Sequence, residues 1–167
     1  MNERWTDRVW EQKTACARRD MLKIADFTHA VTFSLKQGQT DAHGLLIPLK
    51  PEFAQHQMKI FYDRVNSAVF KNAYKRHTKK LAWVSVLGRG TEGRLHFHLA
   101  IEFPMKFSFE NASQILIDKW MPLEWSHSEM RIEKVDSDGW ANYMADHGTD
   151  SLDFANYHYK DKFIERV

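Results

Sequence analysis

One nine-residue segment constrains the fold of this chain more than any other. Residues 94–102 read Arg-Leu-His-Phe-His-Leu-Ala-Ile-Glu, so apolar side chains alternate with side chains of other kinds. Successive side chains of a β-strand point to opposite faces of its sheet. The apolar row is Leu95, Phe97, Leu99 and Ile101. The other row is His96, His98, Ala100 and Glu102. The segment therefore predicts a half-buried strand whose apolar row packs against helices.

Similar patterns predict the remaining elements. Helices are predicted over residues 3–25, 51–76, 108–120 and 140–147. Strands are predicted over residues 29–36, 81–87, 94–103 and 130–135, with a loop at 38–41 and an unassigned tail at 149–167. Strands interspersed with helices in this order indicate an α+β fold. We expect an antiparallel sheet with helices packed on one side, of ferredoxin-like or RNA-recognition-like (RRM-like) topology.

Composition bounds the class of protein. A length of 167 residues suits a single domain with its own core. The one cysteine, Cys16, excludes an internal disulfide framework and a cysteine-rich zinc site. No apolar run approaches the length that spans a membrane, so we expect a soluble, cytoplasmic chain. A net charge of +2 does not by itself indicate a nucleic-acid partner.

The two histidines admit two interpretations from the residues alone. His96 and His98 lie two positions apart, so in a strand their imidazoles share a face and can share one metal ion. The alternative is a pair of solvated histidines on an open sheet face. The spacing does not decide between them.

Three blocks of sequence, in the same order, resemble the histidine–hydrophobe–histidine (HUH) endonuclease superfamily. That superfamily contains rolling-circle replication initiators, conjugative relaxases and single-strand transposases. The blocks are residues 29–35, which carry hydroxyl side chains, residues 93–99, which contain the histidine pair, and residues 138–144, which contain Tyr143. The resemblance spans about residues 27–148, between the predicted helix 3–25 and the tail.

The resemblance implies a chemistry for these residues. Tyr143 would attack a DNA phosphodiester, form a 5′-phosphotyrosine bond and release a 3′-hydroxyl. His96 and His98 would hold Mg²⁺ or Mn²⁺. In single-strand transposases the third metal ligand often lies four residues after the tyrosine, which here is His147. Tyr157 and Tyr159 rank second as nucleophile or helper.

Two positions depart from the pattern of many plasmid initiators. Where those proteins have a lysine three residues after the tyrosine, this chain has Asp146. Where they carry a carboxylate before the metal hairpin, this chain has Leu87, Gly88 and Arg89. Both departures make membership of the plasmid-initiator branch less certain than membership of the superfamily.

The expected substrate is single-stranded DNA, or a DNA hairpin with a single-stranded flank. Lys36, Arg89 and Arg94 are the expected DNA-binding residues, with the basic segment 71–80. A helicase or polymerase would be a separate protein, and a homodimer is one expected assembly, because single-strand transposases often dimerise. Two rival functions stay open: a non-catalytic single-stranded nucleic-acid-binding module, and a hydrolase in which water attacks instead of Tyr143.

Overall fold

The computed structural model describes residues 26–90, 92–135 and 139–140. In chain order its elements are β1 (His29–Leu35), β2 (Gly38–Thr40), β3 (Leu46–Pro48), α1 (Pro51–Phe70), α2 (Asn72–His77), β4 (Ala82–Arg89), β5 (Leu95–Glu102), α3 (Phe109–Trp120) and β6 (Ser126–Lys134).

A four-stranded sheet forms the centre of the described fold. Its strand order is β4-β5-β1-β6, and each neighbouring pair is antiparallel. Strand β5, which carries the histidine pair, therefore has a hydrogen-bonded neighbour on both sides. Strands β2 and β3 form a separate two-stranded hairpin.

The core lies between one face of this sheet and the helices α1 and α3. Phe33 of β1, Phe61 of α1, Trp83 of β4 and Trp120 of α3 are all fully buried there. The rings of Phe33 and Trp120 stack with their centroids 4.3 Å apart. The apolar row of β5 belongs to this core. The predicted α+β fold, with helices packed on one side of an antiparallel sheet, is confirmed.

The prediction of one helix over residues 51–76 is wrong. Helix α1 ends at Phe70, Lys71 adopts φ 50° and ψ −126°, and α2 restarts at Asn72. The physical reason is burial, because α1 has a buried stripe whereas α2 has no buried residue. Packing against the sheet therefore ends at Phe70, and the chain then turns towards β4.

Three further boundaries differ from the sequence prediction. The expected loop at 38–41 is the start of the β2–β3 hairpin, whose strands are too short to show a period. Strand β4 runs on to Arg89, and β6 begins at Ser126 rather than at 130. The predicted helix 3–25, the tail 149–167 and the predicted helix 140–147 after Trp140 lie outside the described residues.

In the described part of the chain, no helix combines the length and the apolar character that crossing a membrane requires.

Candidate active site

The face of the sheet opposite the helices carries the predicted site. The register places His98 between Val86 of β4 and Thr32 of β1. It places His96 between Gly88 of β4 and Ser34 of β1. Both histidines thus lie in the middle of the sheet, where the neighbouring strands fix their backbone.

The two imidazoles meet through their Nε2 atoms, which lie 2.9 Å apart. The ring planes are nearly perpendicular, at 82°, with centroids 4.7 Å apart. His98 is only 3% exposed, whereas His96 is half-buried. The alternative of two solvated histidines is therefore wrong for His98.

The Nδ1 atoms of both rings have partners that orient the rings. His96 Nδ1 lies 3.1 Å from the carbonyl oxygen of Arg94, which can only accept, so Nδ1 carries the proton. In a neutral His96 ring, Nε2 then keeps its lone pair. His98 Nδ1 lies 3.0 Å from the hydroxyl of Thr32, which can donate or accept. Without a metal, His98 Nε2–H can donate to His96 Nε2. With Nδ1–H donating to Thr32, His98 Nε2 becomes a ligand as well.

The separation of the two nitrogens fits a shared divalent ion. Neighbouring ligands of an octahedral Mg²⁺, each bonded at about 2.1 Å, lie about 3.0 Å apart. Tetrahedral zinc with similar bond lengths separates its ligands by roughly 3.4 Å. The observed 2.9 Å is nearer the octahedral value. Within residues 26–90, 92–135 and 139–140, no group of three or more His, Cys, Asp or Glu side chains could hold a metal.

Trp140 packs beside the histidine pair. Its indole Nε1–H donates to the carbonyl oxygen of Leu99 at 3.2 Å, and its ring lies 5.7 Å from that of His98. On the same face, Ala30, Val84 and Ala100 are buried. The expectation of an open face is therefore wrong for this part of the sheet, and the site lies where the covered part meets an open cavity.

A cavity of about 880 Å³ opens from the two histidines towards β6. Its charged lining residues are Lys36, Arg94, Arg131 and the one carboxylate Glu129. Lys36 and Arg94 are thus where the sequence prediction needs them, whereas Arg89 is not among the lining residues. The excess of cationic groups suits a polyanionic ligand.

Sequence reasoning missed the contribution of β6 to this cavity. His127, Glu129 and Arg131 all line it. Arg131 lies opposite Thr32, in the same cross-strand row as His98. The signal was the alternation along β6, but a strand predicted to begin at residue 130 leaves His127 and Glu129 outside it.

The side chain of Gln37 fastens the start of β5. Its Oε1 accepts from the Leu95 backbone N–H at 2.8 Å, and its Nε2 donates to the Leu95 carbonyl oxygen at 2.9 Å. The same Nε2 also donates to the carbonyl oxygen of Leu35 at the end of β1. Leu95 immediately precedes His96, so this contact fixes the backbone from which the imidazole extends.

The other predicted residues are not brought to the pair. Glu102 lies four positions beyond His98, roughly 13 Å along an extended strand. Glu92 is exposed and lies 3.7 Å from Arg94 Nε, an ion pair of the exposed kind that contributes little. Tyr143, His147, Tyr157 and Tyr159 lie outside the described residues.

Comparison with protein families matches most of this chain to a family of replication proteins. The family model described as "Replication-associated protein ORF2" matches residues 28–151, about three quarters of the chain. The matched range includes Tyr143 and His147 and ends before Tyr157. Neither the curated proteins nor the solved structures contain a match to this chain.

Proposed function

We propose, since the chain belongs to this family of replication-associated proteins, that it cuts and rejoins single-stranded DNA to initiate replication. The proposed reaction is that of a single-tyrosine HUH endonuclease. The same reaction would also serve transposition or mobilisation of a DNA element. Unwinding of the duplex is assigned to a separate helicase.

The observation that carries the proposal is the convergence of two imidazole nitrogens. His96 Nε2 and His98 Nε2 lie 2.9 Å apart, and the Nδ1 atoms are engaged on the far side of each ring. This arrangement presents two nitrogen lone pairs to one point beside a cavity with a cationic lining. The proposed ion is Mg²⁺ or Mn²⁺, for which oxygen ligands from the DNA would complete the coordination.

In the proposed reaction the phenol oxygen of Tyr143 attacks the phosphorus of a phosphodiester. The bond from phosphorus to the 3′-oxygen breaks, and the 3′-oxygen leaves with a proton as a hydroxyl. The 5′-phosphate stays on the tyrosine until a 3′-hydroxyl attacks it in the reverse reaction. The divalent ion would supply positive charge to the phosphate oxygens. Arg94 and Lys36 would hold the neighbouring phosphates.

Chain connectivity supports Tyr143 as the nucleophile. Trp140 contacts His98, and Tyr143 follows it by three residues. Three residues span at most about 11 Å even when fully extended, so the Tyr143 backbone stays near the histidine pair in any conformation. Tyr157 and Tyr159 are not limited in this way, and they follow the range that the family model matches. His147 is the proposed third ligand.

The test is to trap a covalent protein–DNA adduct on a labelled single strand with Mn²⁺. Tyr143→Phe removes only the oxygen and should abolish the adduct while DNA binding persists. The double change of His96 and His98 to alanine should also abolish it. An adduct that survives in Tyr143→Phe and maps to Tyr157 or Tyr159 would move the nucleophile but keep the reaction.

The same experiment addresses the rival functions. Cleavage without any adduct would indicate a hydrolase, and tight binding without cleavage would indicate a non-catalytic module. A binding module on such a sheet would stack bases on exposed aromatic side chains. On the described face, Ala30, Ala82, Val84 and Ala100 occupy positions next to the histidines' rows, which disfavours that module.

A further inference from the structure

The space above Gly88 is occupied by the ring of His96. A β-carbon built on Gly88 would lie 2.7 Å from His96 Nε2, 3.2 Å from Cε1 and 3.4 Å from Cδ2. A contact below 3.0 Å requires something to move. The closest atom is the nitrogen that meets His98.

The backbone at this position does not explain the glycine. The described glycines with positive φ are Gly44 and Gly93, and Gly88 is not one of them. Gly88 instead lies within β4, paired with His96 across the sheet. A glycine inside a strand marks a place where another group approaches the backbone closely. Here that group is an imidazole.

The strands on either side of β5 thus make different contributions to the histidine pair. On the β1 side, the hydroxyl of Thr32 contacts His98 Nδ1. On the β4 side, Gly88 leaves room into which the His96 ring leans. The ring reaches the position at which its Nε2 faces His98 Nε2 only because no side chain fills that room.

We propose that Gly88 is a positioning residue, whose missing side chain lets His96 lie across β4 and makes the two Nε2 atoms converge on one ion. The proposal rests on the proposed function only for the metal. Any larger residue at position 88 would displace the His96 ring and break the convergence, while His98, held by Thr32, would stay in place.

The fold should tolerate the test substitution. The atoms that a new β-carbon meets belong to the end of a half-buried side chain, which can rotate towards the cavity. Gly90 provides the matched control on the other side of the same ring. A β-carbon on Gly90 would lie 3.9 Å from His96 Cε1 and 4.0 Å from Nδ1, which is ordinary contact.

The first experiment measures Mn²⁺ affinity of the full chain by titration calorimetry, without DNA. Gly88→Ala should weaken binding about 10- to 100-fold, the effect usual for changing a group that orients a metal ligand. Gly90→Ala should bind as the wild type does. In a His96→Ala background, Gly88→Ala should cause no additional loss, because its effect acts through that ring.

The second experiment needs no metal. Ring nitrogen and proton shifts of His96 in the metal-free chain report its tautomer and its contact with His98. Gly88→Ala should move the His96 signals and Gly90→Ala should leave them in place. Equal affinities and equal His96 spectra for the two alanine variants would overturn the inference, as would an additional loss in the His96→Ala background.

The two proposals fail separately. A wild-type chain that binds Mn²⁺ but forms no adduct contradicts the proposed function and leaves the role of Gly88 standing. A chain that forms the adduct with unchanged efficiency and affinity in Gly88→Ala keeps the function and removes the role of Gly88.

Discussion

The hydroxyl of Thr32 is the side-chain group that can decide which nitrogen of His98 carries the proton. It lies 3.0 Å from Nδ1, inside a sheet where His98 itself is 3% exposed. When the hydroxyl accepts, Nδ1 is protonated and the lone pair of Nε2 can bind an ion. A hydrogen bond to the non-ligating nitrogen is the usual device by which proteins orient such a ligand.

Thr32→Val should therefore weaken Mn²⁺ binding by about tenfold, since valine keeps the shape and removes only the hydroxyl. Thr32→Ser should restore most of the affinity, because the oxygen returns. The matched control is Ser34→Ala, which removes the hydroxyl opposite His96, whose Nδ1 is bonded to the Arg94 carbonyl instead. Calorimetric affinities for the three variants check this, and a Thr32→Val variant with wild-type affinity would contradict it.

The sequence predicted the histidine pair because alternation along a single strand needs no knowledge of the neighbours. It did not predict the roles of Gly88 and Thr32, because those depend on the register between three strands. Register is set by tertiary packing, which a single segment does not encode. Arg131 was missed for a related reason, since β6 carries few apolar residues and its alternation is weak.

At the scale of elements, the edge strand β6 forms a wall of the cavity. Arg131 extends from it in the same row as His98 and Thr32, and its guanidinium lies 2.8 Å from Glu133. That ion pair is exposed, with 74% and 45% of the two side chains accessible, so it contributes little to stability. The guanidinium can exchange this partner for a DNA phosphate.

Arg131→Ala should weaken the binding of single-stranded DNA several-fold and make it less sensitive to salt, because one phosphate contact is lost. Arg64→Ala is the control, since Arg64 lies on exposed α1 surface beside a groove that faces away from the histidines. Fluorescence anisotropy at two salt concentrations measures both. Single strands should be bound and cut in preference to blunt duplex, whose stacked backbone resists bending. Better cleavage of duplex would refute this preference.

The break between α1 and α2 has a local energetic cost. Lys71 adopts φ 50° and ψ −126°, a conformation that glycine adopts readily and other residues do not. Strain of this kind is typically worth on the order of 1 kcal/mol or more.

Lys71→Gly should therefore raise the free energy of unfolding by about 1 kcal/mol, as measured by urea denaturation. Lys75→Gly removes the same charge from within α2 and should lower the free energy instead, by roughly 0.5–1 kcal/mol. If both changes destabilise the protein equally, strain at Lys71 is not the explanation.

At the scale of the whole molecule, the two faces of the sheet have opposite chemistry. The helix face is mainly apolar, but it includes His29, which is 2% exposed and stacks on Phe109 with ring centroids 4.7 Å apart. Burial lowers the pKa of His29 below its ordinary value of 6.5, although the Phe109 carbonyl oxygen partly opposes this effect. Folding therefore favours the neutral ring.

The sign of the pH dependence follows. Below pH 6.5 the unfolded chain takes up a proton on His29 that the folded chain resists, so stability should fall as the pH drops from about 7 towards about 5. His29→Phe keeps the ring and should flatten this dependence. His43→Gln, at an exposed position, should not change it. Urea unfolding at both pH values tests this, and an unchanged slope in His29→Phe would assign the effect elsewhere.

The amide of Gln37 has a consequence for how this fold can diversify. By bonding both polar groups of Leu95 and the carbonyl of Leu35, it closes the hydrogen bonding of the sheet just before the β2–β3 hairpin begins. Changes beyond that closure need not reach His96. The hairpin at residues 38–48 could therefore be lengthened, shortened or exchanged between relatives as an interchangeable part, while the metal-facing strand keeps its register.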